Sequence, residues 1–219
     1  MERINIAIDG PSGAGKSTIS KLIAKKLNIT YLDTGAMYRT VAVYCLRKGV
    51  DVNDAEKVEP LLKEINISYI GDPLDRHICL NGEDVSTAIR EHHVSKAASD
   101  VSKIPAVRLF LVEMQRKIAK DYDVVLDGRD ITSYVLKDAK YKFFLTASPE
   151  VRAKRRYEEL KAKGQELPYE QILQDVIDRD YNDSHRAFAP LTKTDDSIEV
   201  DSSNMTIEEV ADFILSKIK

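Results

Sequence analysis

The strongest structural signal in the chain is the stretch Gly10-Pro11-Ser12-Gly13-Ala14-Gly15-Lys16-Ser17. Two glycines separated by four residues, then a lysine and a hydroxyl residue, form the pattern of a phosphate-binding P-loop. Residues 4–9 are apolar at nearly every position, which is typical of a strand buried on both faces. After the loop, apolar residues recur at helical spacing at Ile19, Leu22, Ile23 and Leu27. The order of strand, loop and helix is the context that a P-loop requires.

The P-loop pattern predicts that its residues bind phosphate groups. Glycines let the backbone curl so that successive N–H groups point at phosphates, and the helix that begins near Lys16 adds its positive dipole end. Lys16 is expected to reach the β- and γ-phosphates of ATP, and the Ser17 hydroxyl to ligate Mg²⁺. A glycine-rich turn with a chance lysine is the alternative, but it leaves both matching flanks unexplained. We expect ATP to be bound by Gly10, Pro11, Ser12, Gly13, Ala14, Gly15, Lys16, Ser17 and Thr18.

Length and composition limit the class of protein. With 219 residues, 43% of them apolar, the chain has the size of one domain with room for an inserted subdomain. It carries 33 basic and 36 acidic residues, so no overall field attracts nucleic acid or a membrane. No apolar run has the length of a membrane span and the chain starts directly in a strand, which predicts a cytoplasmic protein. Cys45 and Cys79 are expected to be reduced core residues.

Charged and polar residues follow the predicted core strands where those strands end. Residues 28–32 form a short strand, which Asp33-Thr34-Gly35 ends before a helix over 36–48. Thr34 and Arg39 would then face the same edge of a parallel sheet as the P-loop, which is where such sheets bind ligands. Alternatively, Thr34 caps the helix and Arg39 is a solvated surface charge.

The middle of the chain changes to an alternating, β-type pattern over residues 65–85. Asn81-Gly82 is a strong hairpin signal between two of its segments. This pattern interrupts the alternation of strands and helices, so it predicts a small antiparallel insert that forms a mobile subdomain.

A second group of charges follows the strand over residues 124–126, in Asp127-Gly128-Arg129-Asp130. Arg108 lies near the start of a predicted helix over 104–120. Two later helices, one starting near Pro149 and one running from Tyr169 to about Arg186, are so polar that they predict a charged hairpin over an anionic ligand. A solvated surface with opposite charges paired along it is the alternative.

These features together suit phosphoryl transfer between two bound phosphorylated ligands. That reaction requires in-line positioning of the acceptor oxygen and neutralisation of charge on the transferred group, to which arginines contribute strongly. The sequence offers eight arginines for this purpose, namely Arg39, Arg108, Arg129, Arg152, Arg155, Arg156, Arg179 and Arg186.

Over nearly its whole length the chain resembles the bacterial cytidylate kinases, a group of nucleoside monophosphate kinases. The resemblance rests on the P-loop with Asp9 before it, and on three further stretches: Leu32-Asp33-Thr34-Gly35-Ala36-Met37-Tyr38-Arg39, Asp127-Gly128-Arg129-Asp130 and Arg186-Ala187-Phe188-Ala189-Pro190-Leu191. It implies an α/β fold with a five-stranded parallel sheet in the order 2-3-1-4-5. The implied core covers residues 1–60, 101–150 and 187–219, with an insert over 61–100 that binds the monophosphate and a helical lid over 151–186.

The resemblance also implies an activity and a set of site residues. The activity is ATP- and Mg²⁺-dependent phosphorylation of CMP and dCMP by a monomer whose partners are small nucleotides. Base contacts are implied for Thr34, Arg108 and Asp130, sugar contacts for Ser99, Arg179 and Asp183, and phosphate contacts for Arg39, Arg129 and Arg186. Catalytic roles are implied for Lys16, Arg129, Arg155 and Arg186.

The chain departs from that family's pattern directly after Asp130. A hydrophobic residue followed by Gly-Thr is usual there, whereas this chain has Ile131-Thr132-Ser133, and Lys137 replaces a usual proline. Because a glycine often marks a positive φ or a close approach, the resemblance does not fix the backbone path beside the acceptor site. Two rival functions stay open: a P-loop kinase for another small acceptor, and a nucleotide-gated binding protein. The surplus of arginines argues against the second.

Overall fold

The computed structural model describes residues 3–72, 76–162, 164–165 and 167–218. Residues 73–75 of the predicted insert and residues 163 and 166 of the predicted lid lie outside the described residues. In chain order the elements are β1 (Asn5–Asp9), α1 (Lys16–Leu27), β2 (Thr30–Asp33), α2 (Thr34–Arg47), α3 (Ala55–Leu61), β3 (Ile67–Ile70), β4 (His77–Leu80), β5 (Glu83–Asp84), α4 (His92–Val101), α5 (Pro105–Asp121), β6 (Val124–Gly128), β7 (Tyr141–Thr146), α6 (Pro149–Ala162), α7 (Tyr169–His185), β8 (Ile198–Asp201) and α8 (Ile207–Ser216).

Five strands form one parallel sheet in the order β2-β6-β1-β7-β8. Counted along the chain, these are the core strands in the predicted order 2-3-1-4-5, so that prediction is confirmed. β1 lies in the centre, and its register places Asp9 opposite Gly128 of β6 and Phe144 of β7. The carboxyl ends of β1, β2 and β6 therefore meet at one edge of the sheet, and the charged residues that follow them lie there together.

Both faces of the parallel sheet are packed. Alternate residues of β1 belong to different cores, because successive side chains of a strand point to opposite faces. Ala7 lies in a core with residues of α2, α4 and α5, whereas Ile6 and Ile8 pack with α1 and α8. All three are fully buried, as the apolar run in the sequence predicts for a central parallel strand.

Glycine is required where β1 turns into the P-loop. Gly10 has a φ of 147°, and a Cβ added to it would lie 1.9 Å from the carbonyl oxygen of Leu145. At the other end of the loop, Gly15 has a φ of 93° and immediately precedes the first residue of α1. The loop backbone therefore bends sharply against β7 before the helix begins.

The insert holds an antiparallel sheet in the order β3-β4-β5, as predicted. Asn81 and Gly82 both have positive φ, at 52° and 88°, as a tight hairpin of this type requires. The β-type pattern did not predict α4, which follows this sheet. No side chain caps its start at Glu91, and the helix is ten residues long, so it gives little sequence signal.

α6 and α7 form a helical hairpin with a small apolar core of its own. Ala153 and Leu160 of α6 pack with Ile172 and Val176 of α7, apart from the two cores of the sheet. The apolar residues are few, which is why the sequence predicts an almost wholly polar pair of helices. Near the C-terminus, Thr206 and Glu209 form a capping box at the start of α8. Within the described residues, no helix combines the length and the apolar content of a membrane span.

Candidate active site

Lys16 lies at the centre of the P-loop. Its ammonium donates to the carbonyl oxygens of Gly10 and Pro11, each over 2.8 Å, and the residue is only 6% exposed. Burial and then the charge of Arg129 lower the pKa of Lys16, while the carboxylates of Asp127 and Asp9 oppose that shift. A positive group held inside the loop in this way is placed to meet phosphate oxygens, which would relieve the cost of its burial.

Ser17, the predicted Mg²⁺ ligand, is held beside a carboxylate. Its hydroxyl donates to Oδ2 of Asp127 over 2.9 Å, and Oδ1 of Asp127 accepts from the Tyr31 hydroxyl over 2.9 Å. Burial and then the charge of Asp33 raise the pKa of Asp127. A hydroxyl and a carboxylate are the hard oxygen donors that Mg²⁺ takes together with phosphate oxygens and water. Ser17 and Asp127 therefore fit a magnesium ion, whose charge would favour ionised Asp127.

A buried ion pair links α5 to the segment that follows β6. Arg108 of α5 donates from NH2 to Oδ2 of Asp130 over 2.5 Å, and the Arg108 and Asp130 side chains are 1% and 6% exposed. The Arg108 guanidinium carbon lies 5.6 Å from the ring centre of Tyr38 and 5.7 Å from that of Phe188. NH2 of Arg186 lies 3.5 Å from Oδ1 of Asp130. The structure thus brings the predicted base contacts Arg108 and Asp130 together, with the rings of Tyr38 and Phe188 near the Arg108 guanidinium.

A second ion pair joins β6 to the helical hairpin. Nε of Arg129 donates to Oδ2 of Asp183 over 2.7 Å. Burial raises the pKa of Asp183, but the charges of Arg129 and Arg179 outweigh it, so the pKa lies below its usual value and the carboxylate is ionised. Burial and then the charge of Arg129 lower the pKa of Arg179 to about 10, with Arg39 adding to the effect. Guanidinium groups crowded in this way form a site that favours an anion.

The backbone after Asp130 is fixed by Asp9 at the end of β1. The Asp9 carboxylate accepts from the Ile131 N–H at 2.9 Å and from both the N–H and the hydroxyl of Thr132 at 2.7 Å. A π-helical turn then spans Ile131–Val135. No residue of that turn has a positive φ, so no glycine is needed at position 132. The Thr132 hydroxyl contributes a hydrogen bond that glycine could not make.

Other predicted residues contact the protein itself. The Thr34 hydroxyl donates to the Asp127 carbonyl over 2.7 Å, and the cap of α2 is the side chain of Asp33, which accepts from the Ala36 N–H. Arg155 donates to the carbonyl of Ser202, beyond β8 and beside the P-loop. Ser99 lies half-buried on α4, and its carbonyl accepts from the Ser102 hydroxyl.

The sequence prediction gave no individual role to Asp127, Tyr31, Tyr38 or Phe188, which the structure places in the site. Asp127 had a usable signal, because a carboxylate directly after a buried strand is the metal-binding position of many P-loop proteins. The two aromatic rings had none, since nothing in local spacing indicates that they flank a buried arginine.

The match to known proteins runs along the whole chain. The family model described as cytidylate kinase matches residues 6–219. A cytidylate kinase from Clostridium acetobutylicum is 51% identical over 216 residues, which cover 99% of this chain and 98% of the relative. One from Clostridioides difficile is 50% identical over 218 residues, covering 100% and 99%. One from Fusobacterium nucleatum subsp. nucleatum is 48% identical over 219 residues, also covering 100% and 99%.

One solved structure shares the fold at low sequence identity. The crystal structure of an uncharacterized protein from Eubacterium ventriosum superposes with a TM-score of 0.55 at 15% identity, covering 99% of this chain and 98% of that one. This likeness concerns the fold alone. The sequence matches reach further, because the matched range of the family model spans the P-loop and the residues of both ion pairs. The chain therefore belongs to the cytidylate kinase family.

Proposed function

We propose that the chain transfers the γ-phosphoryl group of ATP to CMP and dCMP, giving ADP with CDP or dCDP. The observation that carries this proposal is the buried pair of Arg108 and Asp130, which offers both a donor and an acceptor to a ligand. Nε of Arg108 is buried and has no hydrogen-bond partner among the described residues. Oδ2 of Asp130 accepts from Arg108, while Oδ1 lies 3.5 Å from NH2 of Arg186.

Cytosine fits that pair better than uracil does. It presents an exocyclic amino donor beside a ring-nitrogen acceptor, whereas uracil presents a carbonyl and a ring N–H at the same edge. An ionised carboxylate only accepts and a guanidinium only donates. Asp130 would therefore accept from the cytosine amino group and Arg108 would donate to the ring nitrogen. Thr34, beside Gly128, completes the proposed base contacts.

Arginines and one carboxylate would hold the rest of the acceptor. We assign the acceptor phosphate to Arg39, Arg129 and Arg186, whose planar forks match phosphate oxygens. The ribose hydroxyls would be contacted by Ser99, Arg179 and Asp183. Nε of Arg179 and NH2 of Arg186 are buried without a hydrogen-bond partner among the described residues, which supports sites for oxygens of a ligand.

The donor is assigned to the P-loop residues 10–18. Its N–H groups would bind the phosphates, and Lys16 would move from the carbonyls of Gly10 and Pro11 to the β- and γ-phosphates. Ser17 and Asp127 would hold Mg²⁺, which supplies positive charge to the phosphates. Arg129, Arg155 and Arg186 would neutralise the charge that spreads over the transferred group, the contribution that matters most in phosphoryl transfer.

The division of the chain is part of the same proposal. Residues 61–100 would act as the acceptor-binding insert and residues 151–186 as a lid over the core formed by 1–60, 101–150 and 187–219. A monomer in the cytoplasm, where both nucleotides are found, suits this enzyme. Its partners would be the nucleotides alone, with no polymer of nucleic acid.

Release of ADP with each common nucleoside monophosphate tests the proposal. The purified chain is incubated with ATP, Mg²⁺ and one of CMP, dCMP, UMP, AMP or GMP. We expect CMP and dCMP to give ADP far faster than the others. A different preferred acceptor would favour the rival kinase, and ADP release with none of them would favour a binding protein.

Replacement of Asp183 by alanine is expected to weaken the use of CMP and dCMP alike. Each sugar keeps a 3′-hydroxyl that the carboxylate could accept from, and Arg129 would also lose its 2.7 Å partner. Loss of one charged hydrogen bond costs roughly 1.5 to 3 kcal/mol in kcat/KM. Asp175→Ala, an exposed carboxylate on the same helix, is the matched control. Unchanged kinetics with both acceptors would remove Asp183 from sugar binding, and a loss with CMP alone would assign it to the 2′-hydroxyl.

A further inference from the structure

Arg152 of α6 makes its hydrogen bonds with other groups of the protein. Its Nε donates to the carbonyl of Ala147 at 2.8 Å, and NH1 donates to the carbonyl of Ser12 in the P-loop at 3.0 Å. NH1 and NH2 also form a fork with Asp180 of α7, at 3.0 and 2.5 Å. These four hydrogen bonds leave one of the five N–H groups of a guanidinium. The side chain is 3% exposed.

These hydrogen bonds change the role that the sequence suggests for Arg152. The sequence offers it as one of eight arginines that could neutralise the charge on the transferred phosphoryl group. A guanidinium with four hydrogen bonds to protein oxygens is instead a structural connection, since a phosphate contact would require breaking several of them. The structure therefore corrects that expectation for this residue.

The P-loop backbone lies directly against Arg152. Gly13 has a φ of 78°, and a Cβ added to it would lie 3.1 Å from the Cβ of Arg152. The loop at Ser12 and Gly13 thus both packs on α6 and accepts a hydrogen bond from it. Any displacement of Arg152 would be transmitted to the peptide groups that we assign to the donor phosphates.

Asp180, which accepts both hydrogen bonds of the Arg152 fork, lies on α7. The same helix carries residues that we assign to the acceptor nucleotide. The neighbouring Arg179 and the next-turn residue Asp183 are assigned to the acceptor sugar, and Asp183 pairs with Arg129 of β6. α7 is therefore connected to the residues assigned to the acceptor through Asp183. It is connected to the P-loop through the Asp180–Arg152 pair. A bidentate arginine–carboxylate pair fixes the orientation of both groups as well as their distance.

We propose that Arg152 is a positioning residue, held by Asp180, that couples the binding of the two nucleotides. When the acceptor fixes α7, the Arg152–Asp180 pair fixes the P-loop at Ser12, so the donor binds more tightly, and the reverse holds by linkage. The inference rests on the proposed function, because it requires that the donor nucleotide bind at the P-loop and the acceptor nucleotide bind at its own site. Neither Arg152 nor Asp180 touches a reacting group in this account.

The test compares donor affinity with and without the acceptor. The dissociation constant of the non-hydrolysable β,γ-imido analogue of ATP is measured with Mg²⁺, in the absence and in saturating presence of CMP, for wild type and Asp180→Asn. Couplings between sites commonly amount to about 5- to 150-fold. We expect at least about 5-fold tightening in wild type and less than about 2-fold in Asp180→Asn, which retains one acceptor oxygen but loses the fork and the charge.

The control is Asp178→Asn on the same helix. Asp178 is exposed, and its Oδ1 accepts from Gln174 over 2.8 Å. This variant makes the same change of charge away from Arg152, so it is expected to keep the wild-type ratio. A ratio of two affinities reports only on folded protein, so a lower melting temperature of Asp180→Asn would not imitate the result.

Each outcome decides the inference. Equal ratios in wild type and Asp180→Asn, or a wild-type ratio near one, would overturn it while leaving the proposed function standing if both ligands bind. Wild type that binds no CMP would overturn the proposed function and this inference together. If Asp180→Asn does not fold, Arg152→Lys takes its place, because lysine keeps the charge but cannot form the fork. A wild-type ratio in that variant would equally overturn the proposal.

Discussion

Replacement of Lys16 by alanine is expected to lower kcat by about 10²- to 10³-fold, the loss seen when a single group that stabilises transition-state charge is removed. Among the described residues, the hydrogen bonds of the ammonium go only to the carbonyls of Gly10 and Pro11. Its loss removes a positive charge that we assign to the β- and γ-phosphates, but none of the described hydrogen bonds between helices or strands. We therefore expect the melting temperature to change by no more than about 4 °C.

Steady-state kinetics with ATP and CMP, together with thermal melting, check this expectation. The matched control is Lys25→Ala, an exposed lysine on the same helix, which should keep wild-type kcat. A Lys16→Ala variant that kept more than about a tenth of wild-type kcat, which is less than ~1.4 kcal/mol of barrier, would contradict the role given to Lys16.

Replacement of Asp130 by asparagine is expected to reduce the preference for CMP over UMP. A site built to hydrogen-bond one group rejects the mismatched one by as much as ~10⁴, because buried polar groups are left unpaired. Asparagine has an amide donor where the carboxylate only accepts, so it no longer opposes the carbonyl of uracil. The ratio of kcat/KM for CMP to that for UMP should fall, chiefly because CMP activity falls.

The same substitution is expected to lower stability. Arg108 is 1% exposed and loses its only buried anionic partner at 2.5 Å among the described ion pairs. Breaking a buried pair by removing one partner costs about 3–5 kcal/mol. Kinetics are therefore measured well below the melting temperature of the variant. Asp138→Asn, an exposed carboxylate beyond the π-helical turn, is the control for both readouts. An unaltered ratio of CMP to UMP would remove Asp130 from base recognition.

The parts of the fold that repeat a local pattern were predictable from the sequence. β1 and the P-loop follow from an apolar run and a glycine spacing, and the sheet order follows from the resemblance to one family. α4 was not predictable, because it is short and no side chain caps its start. The conformation after Asp130 was not predictable either, because the chain departs there from the family's pattern. The structure gives Thr132 no positive φ and a hydroxyl hydrogen bond to Asp9.

For the candidate site, the sequence and the family resemblance point to individual residues but not to how those residues pair. Arg108 and Asp130 are 22 residues apart, and Arg129 and Asp183 are 54 residues apart, so no local spacing indicates which carboxylate meets which arginine. Arg152 is an example of a residue whose role the sequence alone does not predict. Its sequence context is a run of basic residues on a polar helix, and only the tertiary contacts with Ser12 and Asp180 separate it from its neighbours. Side-chain partners depend on the packed fold.

The separate apolar core of the α6–α7 hairpin bears on how the molecule opens. Four buried residues hold the two helices together, and they do not join either core of the sheet. Cooperative unfolding units tend to coincide with such self-contained motifs, and their opening requires less free energy than global unfolding. We therefore expect the hairpin to separate from the sheet as one unit, with Ala153 and Val176 still packed, while β1 stays in place. Nucleotides could then enter and leave without any loss of order in the sheet.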